Sequence, residues 1–404
     1  MKASALSVLI AASLAAPSVV ADDSESARIK SLEQRVSELE SDAQLNSWLE
    51  RFHVNGFASM AIGRADNNAG YAGYDDEDFD YEQGSLFAVQ TTYDINENME
   101  ATMQLITRGR QDWEPKIEWA FVSYQFDNGT KVRGGKLRLP FYMLSDYLEV
   151  GYAYPWARPS EEVYGVVPVT SYTGIDVLHS VDFEESTLTF QPILGEATVD
   201  SDDSRLGVET DFEKVMGMAT TYDWDELTLR ASYFRSDTKF DDASRPDLVD
   251  LLDDKTGEFF GVGARWDQGD WMVMAEFTRI EVDDAYPDTD SVYIGATYRF
   301  DQFSPYLMYS WVESKDNDER EIPIPGLVSA LDVERAAYSA GVRWDFMTGM
   351  ALKLDLTYTD DFDETTGGLP GNIGVSPDFP QVGAINTGEY DDSFVYSVVL
   401  DVVF

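Results

Sequence analysis

The chain of 404 residues contains no cysteine, which excludes a disulfide scaffold, a thiolate metal site and a cysteine nucleophile. Histidine is nearly as scarce. With only His53 and His179, neither set in a local motif, serine–histidine catalysis has little to build on, and the chain is not read as an enzyme. Basic residues number 29 against 75 acidic ones, and the formal charge of −46 excludes a polyanion-binding exterior and so nucleic acid as a partner. Long apolar runs are also missing, since none reaches the roughly 20 residues of a spanning helix. The run from Leu6 to Ala16, between Lys2 and the small residues Val19 and Ala21, instead has the layout of a secretory leader, residues 1–21.

What is abundant is aromatic surface, at 13% of residues, too much for the disordered class that such charge would otherwise suggest. Residues 22–50 come first, with Ile29, Leu32, Val36, Leu39 and Ala43 at a/d spacing. They predict a short α-helical coiled-coil segment, under three heptads and marginal unless an attached oligomer raises its effective concentration. From Phe52 onward the period becomes 2. In the last segment Phe394, Tyr396, Val398, Leu400, Val402 and Phe404 share one face, opposite Ser393, Ser397 and Asp401. The same alternation runs through Val292 to Phe300, Tyr338 to Phe346 and Leu352 to Tyr358, with aromatic residues near the ends, where a membrane interface selects them.

Short turns near Asn96 to Asn98, Asp127 to Gly129, Glu184 to Ser186, Asp223 to Glu226, Gln268 to Asp270, Asp301 to Phe303 and Met347 to Gly349 alternate with eight longer connections. That count predicts an all-β fold over residues 51–404, a transmembrane antiparallel β-barrel of about 16 strands. A barrel of this size leaves an aqueous channel. The segments 116–126 and 214–222 alternate poorly, which leaves room for an error of one hairpin. Acidic runs such as Asp75 to Asp80 and Asp237 to Asp254 fall in the long connections and read as solvated loop tips; no EF-hand spacing occurs, and no metal or other cofactor is expected.

Positive charges are the informative minority. Arg108, Arg230, Arg265, Arg299, Arg343 and Lys353 sit opposite in parity to their strands' apolar sets and are expected to line the lumen. Unbalanced, they would favour anionic or phosphorylated solutes. The rival reading pairs them with lumen acids such as Glu100, Asp176, Glu276, Asp345, Asp355 and Asp401. The third long connection, 139–170, is rich in aromatic residues and proline, so it is expected to fold into the barrel and constrict it. Lys136, Arg138 and Arg158 are then the candidate basic side of the eyelet, with Asp146, Glu149, Glu161 and Glu162 opposing them.

The stretch G-K-L-R-L-P at Gly135 to Pro140, followed by Y-L-E-V-G-Y-A-Y-P-W-A-R-P-S-E-E-V-Y-G, resembles trimeric Gram-negative porins of the phosphate-selective and DcaP-like dicarboxylate type. The coiled-coil leader and terminal Phe404 resemble the DcaP-like members in particular. This resemblance implies a homotrimer embedded in outer-membrane lipid and lipopolysaccharide, with its N-terminal segment in the periplasm. It further implies insertion by the barrel-assembly machinery, with Phe404 as the assembly signal, and passive uptake of small anionic solutes such as dicarboxylates or phosphate. The abundance of acid departs from a simple anion pore. A general channel, or a sugar-preferring one lined by the third-connection tyrosines, stays open as an alternative.

Overall fold

The computed structural model describes residues 30–32, 34–37, 50–167, 169–200, 209–240, 249, 253–283, 286–316, 320, 331–363, 365–375 and 384–404. The expected leader and most of the expected coiled coil lie outside the described residues. Within the N-terminal unit Met1–Phe52, residues 30–32 and 34–37 are helical, and Leu32 and Val36 stand exposed. Leu32 and Val36 thus sit on helical residues at the spacing expected of a heptad.

The second unit, His53–Phe404, is built from antiparallel strands. In chain order these are β1 (Phe52–Ala65), β2 (Leu86–Asn96), β3 (Met99–Arg108), β4 (Lys116–Gln125), β5 (Lys131–Arg138), β6 (Ser171–Asp182), β7 (Ser186–Val199) and β8 (Thr210–Trp224). They continue as β9 (Leu227–Lys239), β10 (Thr256–Asp267), β11 (Trp271–Val282), β12 (Thr289–Tyr298), β13 (Phe303–Ser314), β14 (Glu334–Met347) and β15 (Met350–Asp360). A small hairpin, β16 (Ile373–Val375) and β17 (Ala384–Asn386), precedes the last strand, β18 (Ser393–Val403). Sixteen of these strands close into one barrel in which each neighbours the next in sequence and β18 returns to β1. Closure runs from Phe57 opposite Val403 to Ala65 opposite Val395, and Gly56 and Phe404 exchange main-chain hydrogen bonds of 2.8 and 2.9 Å beyond it. Full closure leaves no unpaired edge, a condition for strands in lipid.

The period-2 rule holds along β18. Val395, Ser397, Val399 and Asp401 are buried inward, while Phe394, Tyr396, Val398 and Leu400 lie on the outer face. Outward side chains elsewhere are large and apolar, as at Met60, Ile294, Leu307 and Leu356, and would be unstable facing water. Exposed rings collect at the short-turn end, including Trp224, Trp271, Phe300, Trp344 and Phe404, and toward the other end, including Tyr233, Phe260 and Tyr338. These two belts bracket an apolar band, the pattern of a membrane-embedded barrel.

The two poorly alternating segments are strands with bulges. In β4 the register against β3 skips a residue at Glu118, since Gln104 faces Trp119 and Leu105 faces Ile117. In β8 the pairing with β9 jumps between Glu213 and Met216, around Lys214 at φ 53°. A bulge reverses side-chain parity, so alternation read across it fails.

Candidate functional site

The loop 139–170 leaves β5 and crosses the barrel interior. Its first arm, Leu139 to Leu144, is buried, and Phe141 stacks on Phe259 of β10 at 4.5 Å between ring centroids. Main-chain groups on this arm are also fixed. The Ser232 hydroxyl and the Arg230 guanidinium donate to the carbonyls of Phe141 and Pro140 at 2.7 and 2.9 Å, and Met143 N–H donates to Glu276 at 2.9 Å. Tyr164, on the returning arm, donates to the same Glu276 at 2.7 Å.

The middle of the loop is held differently, by charged side chains of the opposite wall. Lys353 Nζ, fully buried, donates to the carbonyls of Gly151 and Trp156 at 2.6 and 2.8 Å and pairs with Asp401 at 2.8 Å. Arg343 reaches the carbonyls of Tyr152 and Tyr154 at 2.6 and 3.0 Å. The helical turn Glu161–Tyr164 presents Glu162, completely buried, to Arg335 at 2.8 Å, Ser310 at 2.6 Å and the Tyr71 hydroxyl at 3.1 Å. Burial, which alone would raise the Glu162 carboxyl, is outweighed by the Arg335 guanidinium and these hydrogen bonds, so its pKa lies below the usual range.

Between the loop and the wall of β1 to β7 and β18 lies a polar cavity of about 550 Å³. Arg108, Arg110, Lys116, Lys136 and Arg158 line it, together with Glu118, Glu149, Glu161 and Asp200. Most of this charge is paired. Arg108 binds Glu118 and Glu149 at 2.8 and 2.7 Å, and Arg138 binds Glu118 at 3.0 Å, so the bulge in β4 supplies the acid that locks two arginines. Burial opposes ionisation of Glu149, yet Arg108 and Arg138 hold its carboxyl down at about 2. Arg158 is bonded to Asp355 at 2.6 Å and Ser397 at 3.3 Å. Among the described residues, Lys136 and Arg110 have no hydrogen-bonding or ion-pair partner, and neither does the carboxylate of Glu161. Burial, and next the neighbouring Glu162, push the Glu161 carboxyl upward.

The residues singled out from sequence therefore divide. Lys136, Arg158 and Glu149 line the cavity, Arg138 sits behind it, and Asp146 stands exposed in a 3-10 turn outside its lining. Of the inward bases, Arg108 belongs to the arginine–glutamate cluster, while Arg230, Arg343 and Lys353 hold the loop. Arg265 and Arg299 share Asp267 at 2.7 and 2.6 Å near the short-turn end. Arg110 and Arg335 were not anticipated. Arg110 is offered by a tight 3-10 turn whose Gly109 packs against Glu82, where an added Cβ would come within 2.3 Å of the Glu82 carbonyl oxygen. The Arg-Gly-Arg sequence at the end of β3 was the available signal.

A closed barrel with an apolar outer band, a loop folded across its lumen and a charged aqueous cavity beside that loop defines a diffusion channel of the outer membrane. The Gram-negative porin family matches residues 4–364, and the chain belongs to that family. Solved structures share the fold at low identity. The anion-selective porin from Comamonas acidovorans aligns at 14% identity and a TM-score of 0.56, over 87% of this chain and 99% of that one. The outer membrane channel DcaP of Acinetobacter baumannii aligns at 11% and 0.54, over 87% and 97%. The trimer form of OmpT, an outer membrane protein of Vibrio cholerae, aligns at 12% and 0.54, over 87% and 99%. No curated protein matches the chain.

Proposed function

We propose that this porin carries small hydrophilic solutes by passive diffusion with a preference for anions, dicarboxylates or phosphate among them. The observation that carries the reading is the pair of bases, Lys136 and Arg110, that line the cavity without a partner among the described residues. Among the described residues of the lining their one unpaired counterpart is the carboxylate of Glu161, a single acid against two bases. Selectivity follows the charges left free at a constriction, so the protein's net charge of −46 does not decide it. In this reading three copies assemble in outer-membrane lipid and lipopolysaccharide. Residues 22–50 lie in the periplasm, where the exposed Leu32 and Val36 would meet their counterparts, and the assembly machinery reads the strand ending at Phe404.

Reversal potentials across a salt gradient in a planar bilayer test the preference. Wild-type channels are expected to favour anions, and Lys136→Gln combined with Arg110→Gln to remove most of that bias. Cation selectivity in the wild type, unchanged by the double substitution, would overturn the reading in favour of a general channel.

A further inference from the structure

A second cavity, of about 160 Å³, lies where the inner loop meets β7 to β11 toward the long-loop end of the barrel, and it is apolar. Phe141, Val199, Phe212, Phe234, Phe259 and Ile280 form much of its lining, and Arg235, Lys255 and Glu258 also border it. It is a recess open on one side rather than a sealed void, so a solute can enter it. Its volume is that of an engineered apolar cavity of about 150 Å³ which stays dry and takes up benzene. A glycine helps keep it open. Gly257 of β10 lines the cavity, and a Cβ there would meet nothing closer than Ser236 Oγ at 3.9 Å and Val282 Cγ2 at 4.0 Å, so the backbone tolerates a side chain that is not present. The cavity also adjoins the polar one. Val167, Val169 and Val199 line both, so a ring seated in the apolar space has the cavity of Lys136 and Arg110 beside it.

From this juxtaposition we infer that the apolar cavity is a subsite for the single aromatic ring of a passing solute whose carboxylate lies in the polar cavity: the channel's preferred solutes include aryl carboxylates. The anionic half of this assignment rests on the preceding subsection. The ring-binding half stands on the cavity alone.

Blockade of single-channel current tests it with phenylacetate, with acetate as charge without ring, and with benzyl alcohol as ring without charge. Phenylacetate is expected to block at concentrations roughly 10-fold or more below acetate, the gain given by burying one ring. Benzyl alcohol should fall between them. Gly257→Leu, which fills the cavity, should bring phenylacetate back to the level of acetate while leaving the reversal potential in plain salt unchanged. Ile280→Ser, which makes the wall polar without filling it, should act in the same direction and guards against a folding defect in the first variant. Equal blockade by phenylacetate and acetate would overturn the inference, as would an undiminished ring advantage in both variants. Blockade by benzyl alcohol as strong as that by phenylacetate would overturn the aryl-carboxylate class. Loss of anion selectivity with the ring advantage intact would count against the preceding reading only, and anion selectivity without a ring advantage would count against this one only.

Discussion

The two flanks of the inner loop adhere to the barrel by different balances of apolar and charged contact. On the side of β8 to β12 rings carry much of the contact, with Phe141 against Phe234 and Phe259 at 4.9 and 4.5 Å and Tyr142 against Phe259 at 5.3 Å, beside the hydrogen bonds that tie Arg230, Ser232 and Glu276 to the first arm. On the side of β13 to β18 it is held by Arg335, Arg343, Lys353 and Tyr306, each bonded to a named atom of the loop or its Glu162. Apolar burial is non-directional and keeps the loop inside, whereas charge-assisted hydrogen bonds fix where its edge stands. The stretch of loop gripped by this second flank, from Glu149 to Glu161, lines the polar cavity, so the flank sets the geometry of the pore. It also occupies the bases that would otherwise meet solute, which is why a lumen with many arginines leaves so few of them free.

The largest effect comes from breaking the directional flank at its most buried point. Arg335→Leu strands Glu162 and is expected to cost about 3–5 kcal/mol, as removing one partner of a buried pair does. Denaturant unfolding of the detergent-solubilised protein would measure the loss, and single-channel conductance should rise as the loop edge is released. Replacing Glu162 by Leu in the same chain should recover much of the stability without restoring the conductance. Phe141→Ala attacks the other flank. It should cost about 3 kcal/mol through the cavity it leaves, with conductance close to wild type. A conductance change in this variant as large as that of Arg335→Leu would break the comparison.

A smaller effect separates the two acids on the cavity. Glu149, held at about 2, gives stability that is complete above the ordinary carboxylate range and is lost only as pH falls toward 2. Glu161 has the opposite sign. Its raised pKa means that ionising it costs stability as pH rises through its folded value, and that acidification neutralises it first. Acidifying the channel from neutral pH is therefore expected to strengthen anion preference as Glu161 takes up its proton, before the Arg108–Arg138–Glu149 cluster changes. Glu161→Gln should reproduce the low-pH reversal potential at pH 7 and flatten the dependence.

The wall was legible in the sequence and the constriction only partly. Alternation in segments such as Val292 to Phe300 and Leu352 to Tyr358 reports which face meets lipid, and the turn positions give sixteen strands, because both depend on local pattern. Alternation fails at Glu118 and Lys214 because a bulge shifts parity by one residue with no composition of its own. The ring-rich composition of 139–170 indicates a packed loop. Which acid meets which base across the lumen is a matter of closure: Lys353 and Trp156 are 197 residues apart, and no spacing encodes their contact. Parity puts Arg343 and Lys353 on the face opposite their strands' apolar sets, and both bond carbonyls of the loop; parity cannot distinguish a base that faces solute from one that grips a carbonyl.

The smallest expected effect is the sharpest check on that distinction. Asp146 and Glu161 were equivalent on sequence, two acids on one loop facing the same candidate bases. Asp146 is exposed at the 3-10 turn Ser145–Tyr147 and does not line the polar cavity, whereas Glu161 does. A charge open to water and away from the cavity wall is screened over about 8–10 Å at physiological salt, while one on the wall acts on every ion that passes. Asp146→Asn should therefore leave the reversal potential at its wild-type value in the same bilayers in which Glu161→Gln shifts it. Equal shifts from the two would mean that ions pass on the Asp146 side of the loop, and the polar cavity would lose its standing as the conducting path.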